Sequence, residues 1–153
     1  MTIHNSSEPR LVLPFLKPFY DSAIPLSWLI IRLAAAGIFF VHGIGHIPSA
    51  AFAKWSASFV TRGYFSHAEF AYGLLFIETV GSACVAIGLF TRFFASAIAI
   101  ELGVMALYEF GPHGFNWNNK GYEYALLWGL VMFAIALRGG GPYSIDRKIG
   151  KEL

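Results

Sequence analysis

Residues 69–110 read EFAYGLLFIETVGSACVAIGLFTRFFASAIAIELGVMALYEF. Two apolar runs, 69–89 and 93–110, flank a short break carrying Gly88, Thr91 and Arg92. A helix crosses the hydrocarbon core of a bilayer with about 20 residues, within a range near 17–25. No water satisfies backbone groups there, so runs of this kind become helices. The break is so short that the two helices form an antiparallel hairpin. Inside this hairpin sit Glu78, Glu101 and Glu109. A charged side chain at the bilayer centre costs about 2.5–3.5 kcal/mol on insertion scales, so such groups pair, protonate or hydrate in a shared interior.

Working outward, runs 25–47 and 121–137 complete a set of four. Pro48 closes the first, and Gly111 and Pro112 follow the third, leading into a polar loop with the aromatic anchors Phe115 and Trp117. The expected fold is all-α: a polytopic membrane protein with a four-transmembrane-helix bundle over 25–138. Segment 1–24 precedes it and a tail, 139–153, follows. In the long first connection, Lys54 and Trp55 through Phe59 and Val60 suit an interfacial amphipathic turn. Ala51-Phe52-Ala53 resembles a signal-cleavage site, but the run before it exceeds a secretory core and carries Arg32. The first span is therefore retained.

Positive residues orient the bundle. With both termini cytoplasmic, the inside holds Arg10, Lys17, Arg32, Arg92, Arg138, Arg147, Lys148 and Lys151, against Lys54, Arg62 and Lys120 outside. That bias satisfies the positive-inside rule. Composition agrees with a lipid environment: 56% of the 153 residues are hydrophobic and 13% charged, where a soluble domain has about 25% charged. The net charge of +2 is small and the basic residues form no stripe, which argues against nucleic acid as a partner. Cys84 is the single cysteine; it forms no internal disulfide and reads as a small apolar residue.

Helical spacing puts Arg32, Ala35, Phe39, His42 and His46 on one stripe of the first span. Arg32 and His42 are then about 15 Å apart along the axis. Depth suggests two levels: His42, His46, Glu109 and Glu123 (with His113) near the outer face, and Arg32, Glu78 and Glu101 deeper. Together they describe a polar cleft that opens outward. Simpler roles stay open: Arg32 snorkelling or bridging a glutamate, Glu109 and Glu123 as hydrated caps, His46 as a solvated helix end. The His42–His46 pair at i, i+4 suits a metal or cofactor, as in bundle sites that combine histidine with glutamate. No Glu-x-x-His motif accompanies it, and no metal site is assigned.

Several pieces carry a family likeness: Arg32-Leu33-Ala34 leading to Phe39-Phe40-Val41-His42-Gly43, then Gly88-Leu89-Phe90-Thr91-Arg92 after Glu78. Gly121-Tyr122-Glu123-Tyr124-Ala125 and Gly141-Pro142-Tyr143-Ser144-Ile145-Asp146 follow in order. From about residue 29 to 153 the chain resembles the DoxX family of small four-helix bacterial and archaeal membrane proteins. The resemblance implies a multi-pass protein of the cytoplasmic (inner) membrane, linked to quinone-dependent respiratory or sulfur oxidation or to redox-stress complexes as a subunit. Many members carry His-Gly-x-x-Lys at the end of the first helix. Here His46 stands at the lysine position, exchanging a permanent cation for a group that titrates near neutral pH.

The leading expectation is a quinone-linked redox protein or subunit of a membrane oxidoreductase. Catalytic roles fall to Glu78, Glu101 and His42, and binding roles to His42, His46, Arg32, Glu109 and Glu123. The sequence contains no haem, flavin or iron–sulfur motif, so electrons come from a protein partner. Alternatives are a non-catalytic accessory or assembly subunit of a membrane complex and a proton-coupled small-solute carrier; the expected partners are another protein or further copies of the chain in a homo-oligomer. The carrier has little support: neither of the inverted halves seen in many transporters is evident.

Overall fold

The computed structural model describes residues 11–47, 49–61 and 68–152. Arg10, Pro48 and Arg62, used above, lie outside the described residues. A 3-10 turn, Pro14–Leu16, leads into α1 (Lys17–His46). Proline opens both because the first turn of a helix needs no N–H from it. Next come α2 (Ser49–Thr61) and α3 (Ala68–Phe76), which continues through a π-helical turn, Ile77–Gly81, into α4 (Ser82–Ile87). α5 (Thr91–Val104) likewise runs into a second π-helical turn, Met105–Glu109. α6 (Glu123–Arg138) and the short α7 (Ile145–Ile149) complete the chain. No strand occurs among the described residues.

The hairpin turn forms because Gly88 adopts φ +77°, a left-handed conformation that glycine accepts without strain. Its N–H and that of Leu89 both reach the carbonyl of Cys84, closing α4. α5 then packs along α6, while α1 lies against the first π turn and α4. Between them lies a core of Trp28, Ala35, Phe39, Ile98, Met132 and Ile135, with further alanines that let the helices approach closely.

Three helical stretches are long and apolar enough to cross a membrane: Pro14–His46, Phe70–Ile87 and Thr91–Glu109. Within their most apolar windows only 28%, 28% and 39% of residues are buried in the molecule. Much of the remainder, including Ile30, Ile100 and Leu107, is exposed apolar surface. So much continuous apolar surface suits lipid rather than water. α6 has 16 residues, and its hydropathic length falls short of the other three.

The bundle end that carries Arg92 is tied by buried polar bonds. Arg32, 1% exposed, donates to the carbonyls of Ala86, Gly140 and Tyr143. Asp146 accepts from the N–H groups of Phe90 and Thr91 at 2.8 and 2.9 Å and from the Thr91 hydroxyl at 2.7 Å. It thereby satisfies donors at the start of α5 that no helical carbonyl can reach. Residues 139–152 are thus folded back onto the bundle. Arg92 adds bonds to the last carbonyls of α6.

Candidate functional site: a carboxyl pair at the floor of a lateral cavity

Glu78 lies in the first π turn and is 6% exposed. A π turn inserts one residue into a helix and re-aims its side chains, and such turns recur at functional sites. Thr79 supports this one by donating to the Leu75 carbonyl at 2.6 Å. α1 crosses here at Gly43, where a Cβ would fall 2.9 Å from the Glu78 backbone carbon and 2.7 Å from Thr79 Cγ2. Only glycine permits that approach. We expect Gly43→Ala to lower the melting temperature in detergent by the equivalent of about 1–3 kcal/mol, the usual range for overpacking. An unchanged transition would show that α1 can yield.

Glu101, on α5 and 8% exposed, brings its carboxyl beside that of Glu78. An ionised carboxylate only accepts, so a hydrogen bond between the two would need a proton on one of them. Each keeps one buried oxygen, Oε2, without a hydrogen-bond partner among the described residues. His46 Nδ1 lies 3.4 Å from Glu78 Oε2, in contact but outside bonding alignment. Its ring stacks on Trp55 at 4.3 Å and 15°. His46, Glu78 and Glu101 therefore form a continuous titratable chain from the α1 end inward.

This chain borders a cavity of about 690 Å³, within the range of roughly 300–1,000 Å³ typical of small-molecule sites. Glu78 and Glu101 supply polar groups at its floor, and Trp55, Phe59, Phe70 and Phe110 supply aromatic walls. Ile100 and Tyr108 line it too, yet are 68% and 63% exposed. The cavity is therefore open at the side of the bundle, on the surface that faces lipid. Its far wall is the second π turn, so both π turns border the same space.

The model of the DoxX family matches residues 27–109, more than half the chain. The chain belongs to the DoxX family. The matched stretch holds α1 from residue 27 onward, α2 to α5 and both π turns, including His46, Glu78 and Glu101, and stops before α6. No curated protein and no solved structure matches the chain.

In this DoxX protein the residues singled out by sequence are distributed unevenly. Glu78, Glu101 and Glu109 line the cavity, and His46 adjoins Glu78. His42 is exposed on α1 and, like His46, is not among the residues lining the cavity. Glu123 accepts from the Trp117 N–H at 3.3 Å in the loop before α6. His113 is exposed in a 3-10 turn. Arg32 is a correction to the two-level grouping: it binds three carbonyls at the Arg92 end instead of Glu78 or Glu101. Helix ends and the Gly139–Gly141 turn expose carbonyls there that accept from the guanidinium, and the buried Asp146 supplies an opposite charge nearby.

Sequence reasoning missed both π turns and the part of α2 in closing the cavity. Trp55, Ser58 and Phe59 share one helical face at i, i+3 and i+4, a signal that was available. Among the described residues no three His, Cys, Asp or Glu side chains converge as metal ligands.

Proposed function

We propose that this DoxX-family protein is a quinone-linked redox protein of a membrane oxidoreductase, with the lateral cavity as its quinone head-group site. One observation carries the reading: a buried carboxyl pair, with unpartnered oxygens, forms the floor of an aromatic cavity that opens towards lipid. A lipid-soluble ligand would enter from the bilayer without crossing water. A bound quinone supplies two-electron chemistry, becoming a quinol on gaining two electrons from a partner protein and two protons. Glu101 and Glu78 hold and pass those protons, and His46 connects the pair towards the bundle end. Trp55 and Phe59 present flat apolar faces to a planar ring.

The same reading takes α6 as a fourth crossing with both termini cytoplasmic, in a bacterial or archaeal inner membrane. Its 16 residues extend about 24 Å, and Trp117 and Tyr124 at one end and Arg138 at the other suit the two interfaces.

A second reading, a non-catalytic accessory subunit, draws on the start of α1. No residue of α1 before Trp28 is buried, and Phe15, Phe19 and Ile24 are exposed, a surface that suits another subunit.

Tryptophan quenching separates the two. Adding a short-chain quinone to the full chain in nanodiscs should quench a saturable share of the fluorescence, and Trp55→Phe should remove that share. Quenching that is unsaturable and identical in Trp55→Phe would argue against the quinone site.

A further inference from the structure

We propose a second binding site at the Arg92 end, for the phosphate of an anionic phospholipid headgroup. The C-terminal segment encloses a cavity of about 350 Å³ whose rim carries Arg138, Arg147 and Lys151. Two carboxylates also line it, but both are committed elsewhere. Asp146 is buried and accepts three bonds from Phe90 and Thr91. Glu152 accepts from Arg92 at 3.1 Å and from the Gly140 N–H at 2.7 Å. Arg138, Arg147 and Lys151 are left with no carboxylate partner among the described residues.

The cations are also positioned. The Arg138 guanidinium sits 4.7 Å over the Trp28 ring, and the Trp28 indole N–H is held by the Gly139 carbonyl at 2.9 Å. A guanidinium fixed on an aromatic face keeps its in-plane donors for phosphate. Ser144, also on the rim, is occupied with the Gly141 carbonyl and the Arg147 N–H. The recognition chemistry is therefore cationic.

Lipid rather than free phosphate fits the surroundings. Leu137, Tyr143 and Ile149 are exposed next to the basic rim, giving acyl chains an apolar surface below the headgroup. Basic pockets at the ends of membrane helices take anionic headgroups on these grounds. This site meets α1 at Trp28, about 27 Å along the helix from His46, and does not depend on the quinone reading.

The test is the association of spin-labelled phosphatidylglycerol and phosphatidylcholine with the full chain in vesicles, read as the ratio of their association constants. The wild type should favour phosphatidylglycerol. Arg147→Gln with Lys151→Gln should lower the ratio by about fivefold for each cation removed. Neither side chain makes a bond among the described residues, so circular dichroism should stay unchanged. Arg138→Gln alone provides a second variant. Lys54→Gln with Lys120→Gln, outside this cavity, should keep the ratio, and inorganic phosphate should leave the lipid in place. Equal association of the two lipids in the wild type overturns the proposal. So does an equal loss in the Lys54/Lys120 variant, which would mean diffuse attraction. Displacement by inorganic phosphate overturns the lipid assignment in favour of a phosphate site.

Discussion

Glu101→Leu is expected to weaken binding of a short-chain quinone by about 10- to 100-fold. Leucine approximates the bulk of glutamate and suits the apolar wall, so little of the loss comes from packing. What disappears is a buried carboxyl that borders the cavity with one oxygen unpartnered. A hydrogen bond to a charged group contributes about 1.5–3 kcal/mol, and each 1.4 kcal/mol is about tenfold in affinity. The substitution also removes the carboxyl beside Glu78, so its contribution falls at the same time. Saturation of the Trp55 quenching gives the affinity. Glu123→Gln, at the first residue of α6 and outside the cavity lining, should bind as the wild type does. Equal affinities of Glu101→Leu and wild type would remove the carboxyl pair from the site.

The second large effect is on stability. Asp146→Ala should lower the melting temperature in detergent by on the order of 10 °C. The substitution strands the Phe90 N–H, the Thr91 N–H and the Thr91 hydroxyl. Thr91 is fully buried, so water cannot replace the lost acceptor without opening the turn. Each stranded donor costs about 1–3 kcal/mol. Because the three share one residue and relax together, a total near 3–5 kcal/mol is expected. Asp146→Asn keeps one acceptor oxygen and should lose less. Amide exchange at Phe90 and Thr91 should accelerate in step with the loss. A full-height melting temperature in Asp146→Ala would mean that residues 139–152 do not hold the hairpin.

Much of this was legible in the sequence, for identifiable reasons. Of the four apolar runs read as spans, three are helices long and apolar enough to cross a membrane, and the Gly88 break marked the hairpin. Glu78 and Glu101 stood out as carboxyls in lipid-length segments, and both are buried and line the cavity. The α1 stripe was readable only in part. Arg32, Ala35 and Phe39 are buried, but at about 100° per residue His42 falls roughly 80° from Arg32 and His46 only about 40°. That drift leaves His42 at the edge of the stripe, exposed, while His46 turns to Glu78.

Other features had no local signature. A π turn depends on what packs beside it, here Gly43 of α1 and Phe94 against Gly81, neither of which is near in sequence. Arg32 offered its charge to a sequence reader, who sees glutamates as partners but not the free carbonyls of a distant turn. The family match ends at residue 109, so the docking of the C-terminal segment emerges from Asp146 and the glycine turn alone.

The most direct measurement of the central claim is native mass spectrometry of the full chain released from nanodiscs that contain a long-chain quinone. The account predicts one quinone retained per chain in the wild type and none in Glu101→Leu, with helical content unchanged. A wild-type chain that carries only phospholipid, or a Glu101→Leu chain that keeps the quinone equally well, would contradict it.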